Sequence, residues 1–186
     1  MDQETAGSAS TKSSVIVVVM GVSGSGKTVV GAALADALGG RFIEGDQYHP
    51  PANISRMTSG QPLRDEDRWS WLDAIAVEIV AADRQDATLV VACSALKRIY
   101  RDRLRRASGR ILFVYLEIGR DEAAARVAAR KGHFMPASLN DSQFAALEPP
   151  TPDEGALTLD ATRDPAALAA LVTAVALPGG LVTARP

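Results

Sequence analysis

Val15-Ile16-Val17-Val18-Val19-Met20-Gly21-Val22-Ser23-Gly24-Ser25-Gly26-Lys27-Thr28 decides the fold. It begins with apolar, mostly β-branched residues that do not alternate with polar ones, which describes a strand buried on both faces in the middle of a sheet covered by helices. Gly21 to Thr28 then satisfies G-x-x-x-x-G-K-[ST]. Val29, Val30, Ala33, Leu34, Ala37 and Leu38 recur at helical spacing until Gly39-Gly40 ends the run. Strand, glycine-rich turn and helix in that order are the context in which this motif binds a nucleotide. The glycines let successive N–H groups curl round one anion, and the helix N-terminus adds its positive end. Gly21, Ser23, Gly24, Ser25 and Gly26 would form the cradle for ATP, Lys27 would reach the β- and γ-phosphates, and Thr28 would offer its hydroxyl to Mg²⁺.

The alternation continues outward from this segment. Arg41 to Glu44 reads as a second strand ending at Gly45-Asp46, after which Pro50-Pro51 is expected to force a turn into a polar segment that runs to Gly60. Asp65 is expected to cap a helix with apolar positions at Trp69, Leu72, Ile75, Ala76 and Ile79, and Thr88 to Cys93 reads as a third strand. Ala95 to Arg106 predicts a basic helix, Ile111 to Leu116 a fourth strand, and Asp121 to Arg130 a further helix interrupted by Gly132. Ser138 to Leu147 is helical in pattern, Leu157 to Leu159 a last short strand, and Pro165 opens the final helix. Such alternation predicts an α/β fold built on a doubly wound, five-stranded parallel sheet. The folded domain is placed at residues 15–177, between flexible tails at 1–14 and 178–186.

Composition bounds the rest. A chain of 186 residues fits one domain, and a formal charge of −2 supplies no general field that would draw it to nucleic acid or to an anionic membrane. Val15 to Met20 is far too short to span a bilayer. The single cysteine, Cys93, forms no internal disulfide, so the cytoplasm is the expected location. The same cradle serves small-molecule kinases, GTPases, motor ATPases and nucleotide-dependent switches. No Asn-Lys-x-Asp guanine-reading segment is present, and a motor usually needs a longer chain.

In a doubly wound sheet, ligands gather at the carboxyl ends of the strands, which directs attention to Asp46 and Ser94. Asp46 could accept a proton from an acceptor hydroxyl or bind Mg²⁺ through water; the alternative is a turn-stabilising aspartate. Lys97 could hold an acceptor carboxylate from the first turn of the basic helix, whereas Arg103, Arg105 and Arg106 read as a solvated face. Without interleaved aromatics this helix is a poor nucleic-acid patch. Arg126 and Arg130 share a helical face just before Lys131-Gly132-His133, a combination suited to a lid that closes cations over transferring phosphate, or else to an exposed basic helix end. Trp69, Trp71, Leu72 and Leu147 read as core or interface.

Several blocks in order carry a closer resemblance: the Gly21 to Thr28 cradle, Glu44-Gly45-Asp46 with His49-Pro50, Asp65 with Asp67-Arg68, Cys93-Ser94-Ala95-Leu96-Lys97 with Tyr100-Arg101-Asp102, Arg130-Lys131-Gly132-His133-Phe134-Met135, Ser142-Gln143-Phe144, and Asp153-Glu154. Over roughly Val15 to Ala176 the chain resembles gluconate kinase (gluconokinase), within the broader P-loop group that includes shikimate and adenylate kinases. The resemblance implies a nucleoside-monophosphate-kinase-like fold with a lid. It implies transfer of the ATP γ-phosphate to the 6-hydroxyl of D-gluconate with Mg²⁺, in a cytoplasmic homodimer. By that similarity Asp46 becomes the base or orienter of the acceptor hydroxyl. His49, Arg68, Ser94, Lys97, Arg101 and His133 become candidates for holding gluconate. Arg126 and Arg130 are assigned to the lid, and Arg163 to stacking on the adenine. Arg64 departs from the family pattern, which has a polar uncharged residue there, and would alter the charge of the acceptor pocket.

Overall fold

The computed structural model describes residues 14–129 and 138–177. Its centre is a five-stranded sheet of β1 (Ile16–Met20), β2 (Arg41–Glu44), β3 (Leu89–Ala92), β4 (Ile111–Glu117) and β5 (Leu157–Asp160), in the order β2-β3-β1-β4-β5. Every pairing is parallel, and β1 lies in the middle with Val17 opposite both Val90 and Leu112. A parallel sheet buries both faces, and β1 is buried along its whole length. Ile16, Val18 and Met20 join one core with Trp71, Leu72, Ile75 and Ile79 of α3 (Asp65–Arg84) and with Tyr100 and Leu104 of α4 (Arg98–Arg105). Val17 and Val19 join the other core with Val30 and Leu34 of α1 (Lys27–Leu38) and with Leu168 and Val172 of α7 (Pro165–Ala176). The unbroken apolar run therefore supplies both layers, because successive side chains point to opposite faces.

Two helices depart from what the sequence suggests. Pro50-Pro51 starts α2 (Pro51–Thr58) instead of only turning the chain. A proline at the first helical position costs nothing, since its missing N–H would be unpaired there, and Asn53 and Met57, four apart, supply the buried stripe. The basic helix α4 begins at Arg98 and not at Ala95, because Ala95 takes φ 40° and residues 93–97 form a connecting loop. Asp65 is the first residue of α3 and not its cap: Arg64 occupies the cap position, and its N–H donates to Asp67 Oδ2 at 2.9 Å. Arg64 is exposed at that helix start.

α5 (Arg120–Ala129) follows β4, and α6 (Ser138–Ala146) precedes the last strand. The tail segments 1–13 and 178–186, with Arg130 and His133, lie outside the described residues. Ser14, grouped with the first tail on sequence grounds, donates from its hydroxyl to Asp86 Oδ1 and accepts from Arg110 Nη1 at 2.7 Å. Among the described residues no helix is long and apolar enough to cross a membrane.

Candidate active site

The turn from β1 into α1 is shaped by two glycines with left-handed backbone, Gly24 and Gly26. Gly24 has φ 87°, and a Cβ there would stand 2.5 Å from the Ala123 carbonyl oxygen of α5. Gly26 caps α1 at φ 93°. Substitution at either forces a left-handed backbone on a side chain that disfavours it, and at Gly24 it also drives α5 away. Lys27 Nζ donates to the Val22 carbonyl at 3.0 Å, so the ammonium lies across its own loop. Ser25 Oγ is buried with no hydrogen-bond partner among the described residues.

Thr28 Oγ1 donates to Glu44 Oε2 at 2.6 Å. Burial pushes the Glu44 carboxyl above its ordinary value, with Asp46 adding to the rise and the Thr28 hydrogen bond opposing it. Glu44 is a site residue to which sequence reasoning gave no role; the signal was its place at the end of β2, two residues before Asp46. A hydroxyl and a carboxylate beside a phosphate cradle are hard oxygen donors, the set that suits Mg²⁺ shared with phosphate. Among the described residues no cluster of three or more acidic, histidine or cysteine side chains would hold a metal by itself.

Beside the cradle lies a polar pocket. Ser23 and Lys27 line one part of it, and Asp46, His49, Arg68 and Ser94 line another, so six candidates from the sequence meet in one cavity. The strand ends explain the meeting: Asp46 follows β2, Ser94 follows β3, and the Ser94 carbonyl accepts the Gly21 N–H at 3.3 Å. Asp46 sits in a 3-10 turn, Gly45–Tyr48, pinned by Trp71, whose Nε1 donates to the Gly45 carbonyl at 2.7 Å.

The other face of Trp71 carries His49, stacked at 4.2 Å between ring centroids. Burial lowers the His49 pKa to about 4, the Asp46 charge opposing the fall and Arg68 adding to it. The ring is therefore neutral near pH 7. Its Nδ1 lies 3.4 Å from Asn53 Nδ2, a group that donates to the Asp67 carbonyl at 2.6 Å. With an amide N–H on that side, Nδ1 is the acceptor and the ring proton sits on Nε2. Arg68 makes one long bond, Nη2 to the Leu63 carbonyl at 3.4 Å, and lies 5.6 Å over the Tyr100 ring. Its buried Nε has no partner among the described residues.

Lys97 and Arg101 are not among the residues lining this pocket. Lys97 Nζ bonds both Asp65 oxygens, at 2.7 and 2.8 Å, and Tyr100 donates to the same carboxylate at 2.5 Å. These hydrogen bonds, Lys97 first, hold the Asp65 carboxyl below its ordinary range. Arg101, proposed for the acceptor on sequence grounds, is instead fully buried against Glu154, with Nε and Nη2 each 2.7 Å from one carboxylate oxygen. Its Nη1 donates to the carbonyls of Ala95, Leu96 and Glu148 at 3.0 to 3.2 Å. The Arg101 hydrogen bonds lead in holding Glu154 down to about 2. Arg103 and Arg105 are likewise paired, with Asp73 and Glu154, where sequence suggested a solvated face.

On the far side of the loop, Arg126 Nε donates to Glu122 at 2.7 Å and Nη1 to the Ala161 carbonyl at 3.0 Å. Arg163 lies in the same β5–α7 turn, its N–H on the Asp160 carbonyl at 3.3 Å. Thr162 hydrogen bonds lead in lowering the Asp160 carboxyl, and the charges of Arg163 and Arg126 contribute. Two of the candidate nucleotide-binding arginines thus flank one turn.

Comparison with known proteins places this geometry. A family model described as an AAA domain matches residues 16–150. A gluconokinase of Gluconobacter oxydans is 46% identical over 149 residues, which cover 80% of this chain and 84% of that protein. The chain belongs to the gluconokinase family. A gluconokinase structure from Sinorhizobium meliloti superposes with TM-score 0.76 at 45% identity, covering 85% of this chain and 89% of that one. An unliganded sugar kinase from a Janibacter species reaches TM-score 0.81 at 44% identity, covering 86% and 92%. The residues matched by the family model, 16–150, include the glycine-rich loop, the Asp46 turn and Ser94.

Proposed function

We propose that this chain is a kinase that transfers the γ-phosphate of ATP to the 6-hydroxyl of D-gluconate, giving 6-phosphogluconate and ADP. The observation that carries the reading is Arg68: a guanidinium whose buried Nε has no partner among the described residues, in the same pocket as the Asp46 carboxylate and the Lys27 ammonium. An orphaned cationic donor favours an anionic ligand, and a carboxylate-bearing polyol supplies one.

In this scheme the acceptor carboxylate pairs with Arg68, and neutral His49 donates from Nε2 to a hydroxyl. Asp46 orients the attacking hydroxyl and takes its proton as the new O–P bond forms and the bond from the γ-phosphorus to the β,γ-bridging oxygen breaks. Lys27 exchanges the Val22 carbonyl for the β- and γ-phosphates, while Arg126 and Arg163 serve the nucleotide. Mg²⁺, when bound near Thr28 and Glu44, supplies charge neutralisation across those phosphates. Arg130 and His133, outside the described residues, are assigned to the lid and the acceptor on the family resemblance. A cytoplasmic homodimer acting on a small molecule, without nucleic acid or membrane, completes the proposal.

The test is ADP release measured with a panel of acceptors: gluconate, other sugar acids and shikimate. Turnover with gluconate above the others supports the reading; preference for another acceptor assigns the fold to a different small-molecule kinase, and tight ATP binding without ADP release in any case makes it a switch. Lys27→Ala is expected to lower kcat on the order of 10²- to 10³-fold with the circular dichroism spectrum intact. Asp46→Asn is expected to reduce kcat far more than ATP affinity, and an unchanged kcat would reduce Asp46 to a turn residue.

A further inference from the structure

The wall of the pocket opposite the strand ends comes from α6, and one of its side chains does something its sequence does not announce. Gln143 Oε1 accepts the Ser23 backbone N–H at 2.7 Å, across 120 residues of chain. Ser23 belongs to the phosphate cradle, and both residues line the pocket with Lys27 and Asp46. A peptide N–H can only donate, so the carboxamide is oriented: its oxygen faces the loop and its NH₂ group takes the other end. No group among the described residues accepts from that NH₂.

The helix that carries Gln143 is held firmly. Phe144 is partly buried against the core that includes Val17 and Val19 of β1, with the Arg120 guanidinium 4.8 Å over its ring. Just after α6, the Glu148 N–H donates to the Leu96 carbonyl at 2.9 Å, and the Glu148 carboxylate accepts the Arg98 N–H at 2.7 Å. These bonds tie the end of α6 to the loop that carries Ser94. The position of Gln143 is therefore set from both sides, by the core and by the acceptor loop, which is how a donor is kept in fixed geometry.

We propose that Gln143 is a specificity-determining residue of the transfer reaction: its carboxamide links the Ser23 amide to one hydroxyl oxygen of the acceptor and so fixes the polyol relative to the phosphate loop. The charged groups of the pocket, Arg68 and Lys27, suit a carboxylate and a phosphate. A polyol also needs neutral donors for its hydroxyl oxygens, and an amide whose NH₂ has no acceptor among the described residues is one. A site built to hydrogen-bond a hydroxyl rejects an analogue that lacks it, because the donor is then left unpaired. The inference rests on the reading of this pocket as a sugar-acid site.

The experiment compares the wild-type chain with Gln143→Met, similar in length but without the amide, on gluconate and on its monodeoxy analogues, each with saturating ATP. The variant is expected to lose on the order of 10- to 100-fold in kcat/KM for gluconate, with the KM for ATP changed by less than about twofold and the melting temperature retained. For one deoxy analogue, wild type and variant should have nearly equal kcat/KM, because the hydroxyl that Gln143 reads is already missing. An equal loss on gluconate and on every analogue would overturn the inference and leave Gln143 as a brace for the loop. A loss confined to the KM for ATP would overturn it too, by placing the amide on the nucleotide. Failure of the parent reading looks different: the wild type itself would then turn over none of these acceptors, and the inference would fall with it.

Discussion

Arg68 and Arg101 carry the same guanidinium, and both were candidates for holding the acceptor, yet the structure treats them in opposite ways. Arg101 is fully buried with all three of its nitrogens engaged, two on Glu154 and one on three carbonyls. Arg68 lines the pocket with one long hydrogen bond and an unpaired Nε. A buried cation with every nitrogen engaged is part of the framework, because any ligand would first have to break bonds that already hold it. A cation with a donor left over favours an anionic ligand, which is why the proposed scheme gives the acceptor carboxylate to Arg68. What Arg101 frames is the loop after β3: its bonds to the Ala95 and Leu96 carbonyls lie between Ser94 and Lys97, at a residue with φ 40°. The two arginines thus divide one task, one shaping the pocket from behind and the other facing into it.

The sharpest way to break this division is Arg101→Met. Removing Arg101 takes away the two shortest hydrogen bonds of the Glu154 carboxylate and leaves Arg105 as its remaining ion-pair partner, a loss of up to about 3–5 kcal/mol. Thermal or urea unfolding should show that loss, and Arg101→Met combined with Glu154→Leu should recover a large part of it. Since the Glu154 carboxyl is held down to about 2 in the folded state, its stabilisation is fully present above its ordinary value of 4.5 and is lost as pH falls from there toward about 2. A variant of unchanged stability would show that Arg101 belongs with the ligand-binding groups after all.

Arg68→Met should act in the other currency. The expected result is a KM for gluconate raised on the order of 10- to 100-fold, with the KM for ATP nearly unchanged and a melting temperature close to that of the wild type. Arg68→Lys should restore little, since a point ammonium cannot reproduce a planar fork. If Arg68→Met instead unfolds the protein at lower temperature and leaves KM alone, the contrast between the two arginines collapses.

The sequence could not have separated them. Both lie in segments that read as helices, both are quoted in the family resemblance, and no spacing rule says which will meet Glu154, a residue 53 positions beyond Arg101. The inner strands β1 and β3 and the cradle were legible because burial on both faces leaves an unbroken apolar run and because the glycine pattern has one structural use, whereas the half-exposed edge strands β2 and β5 were legible from their place in the alternation of strands with helices. Asp46 and Ser94 were legible from strand ends alone. By contrast α2 was hidden because Pro50-Pro51 is compatible with a turn and with a helix start, and the choice was made by burial of Asn53 and Met57, a tertiary event. Gln143 stayed silent for the same reason: its partner is a backbone amide, which carries no side-chain signature.

A third acceptor-binding candidate, His49, sits between these two extremes, and its prediction is the smallest. The ring is stacked on Trp71 and buried, and its pKa falls from 6.5 to about 4. Between those values the unfolded chain takes up a proton that the folded chain does not, so stability contributed by this group rises with pH from about 4 to about 6.5 and is level above. Urea unfolding at about pH 5 and about pH 7.5 should therefore show a smaller gap between the two midpoints in His49→Gln than in the wild type. The same neutrality predicts that kcat/KM for gluconate has no inflection near pH 6.5 assignable to His49, since the ring is an Nε2–H donor throughout that range. An inflection there that disappears in His49→Gln would mean that the ring is charged when the acceptor binds. His49 would then stand with Arg68 as a cation for the carboxylate, and not as the neutral reader of a hydroxyl.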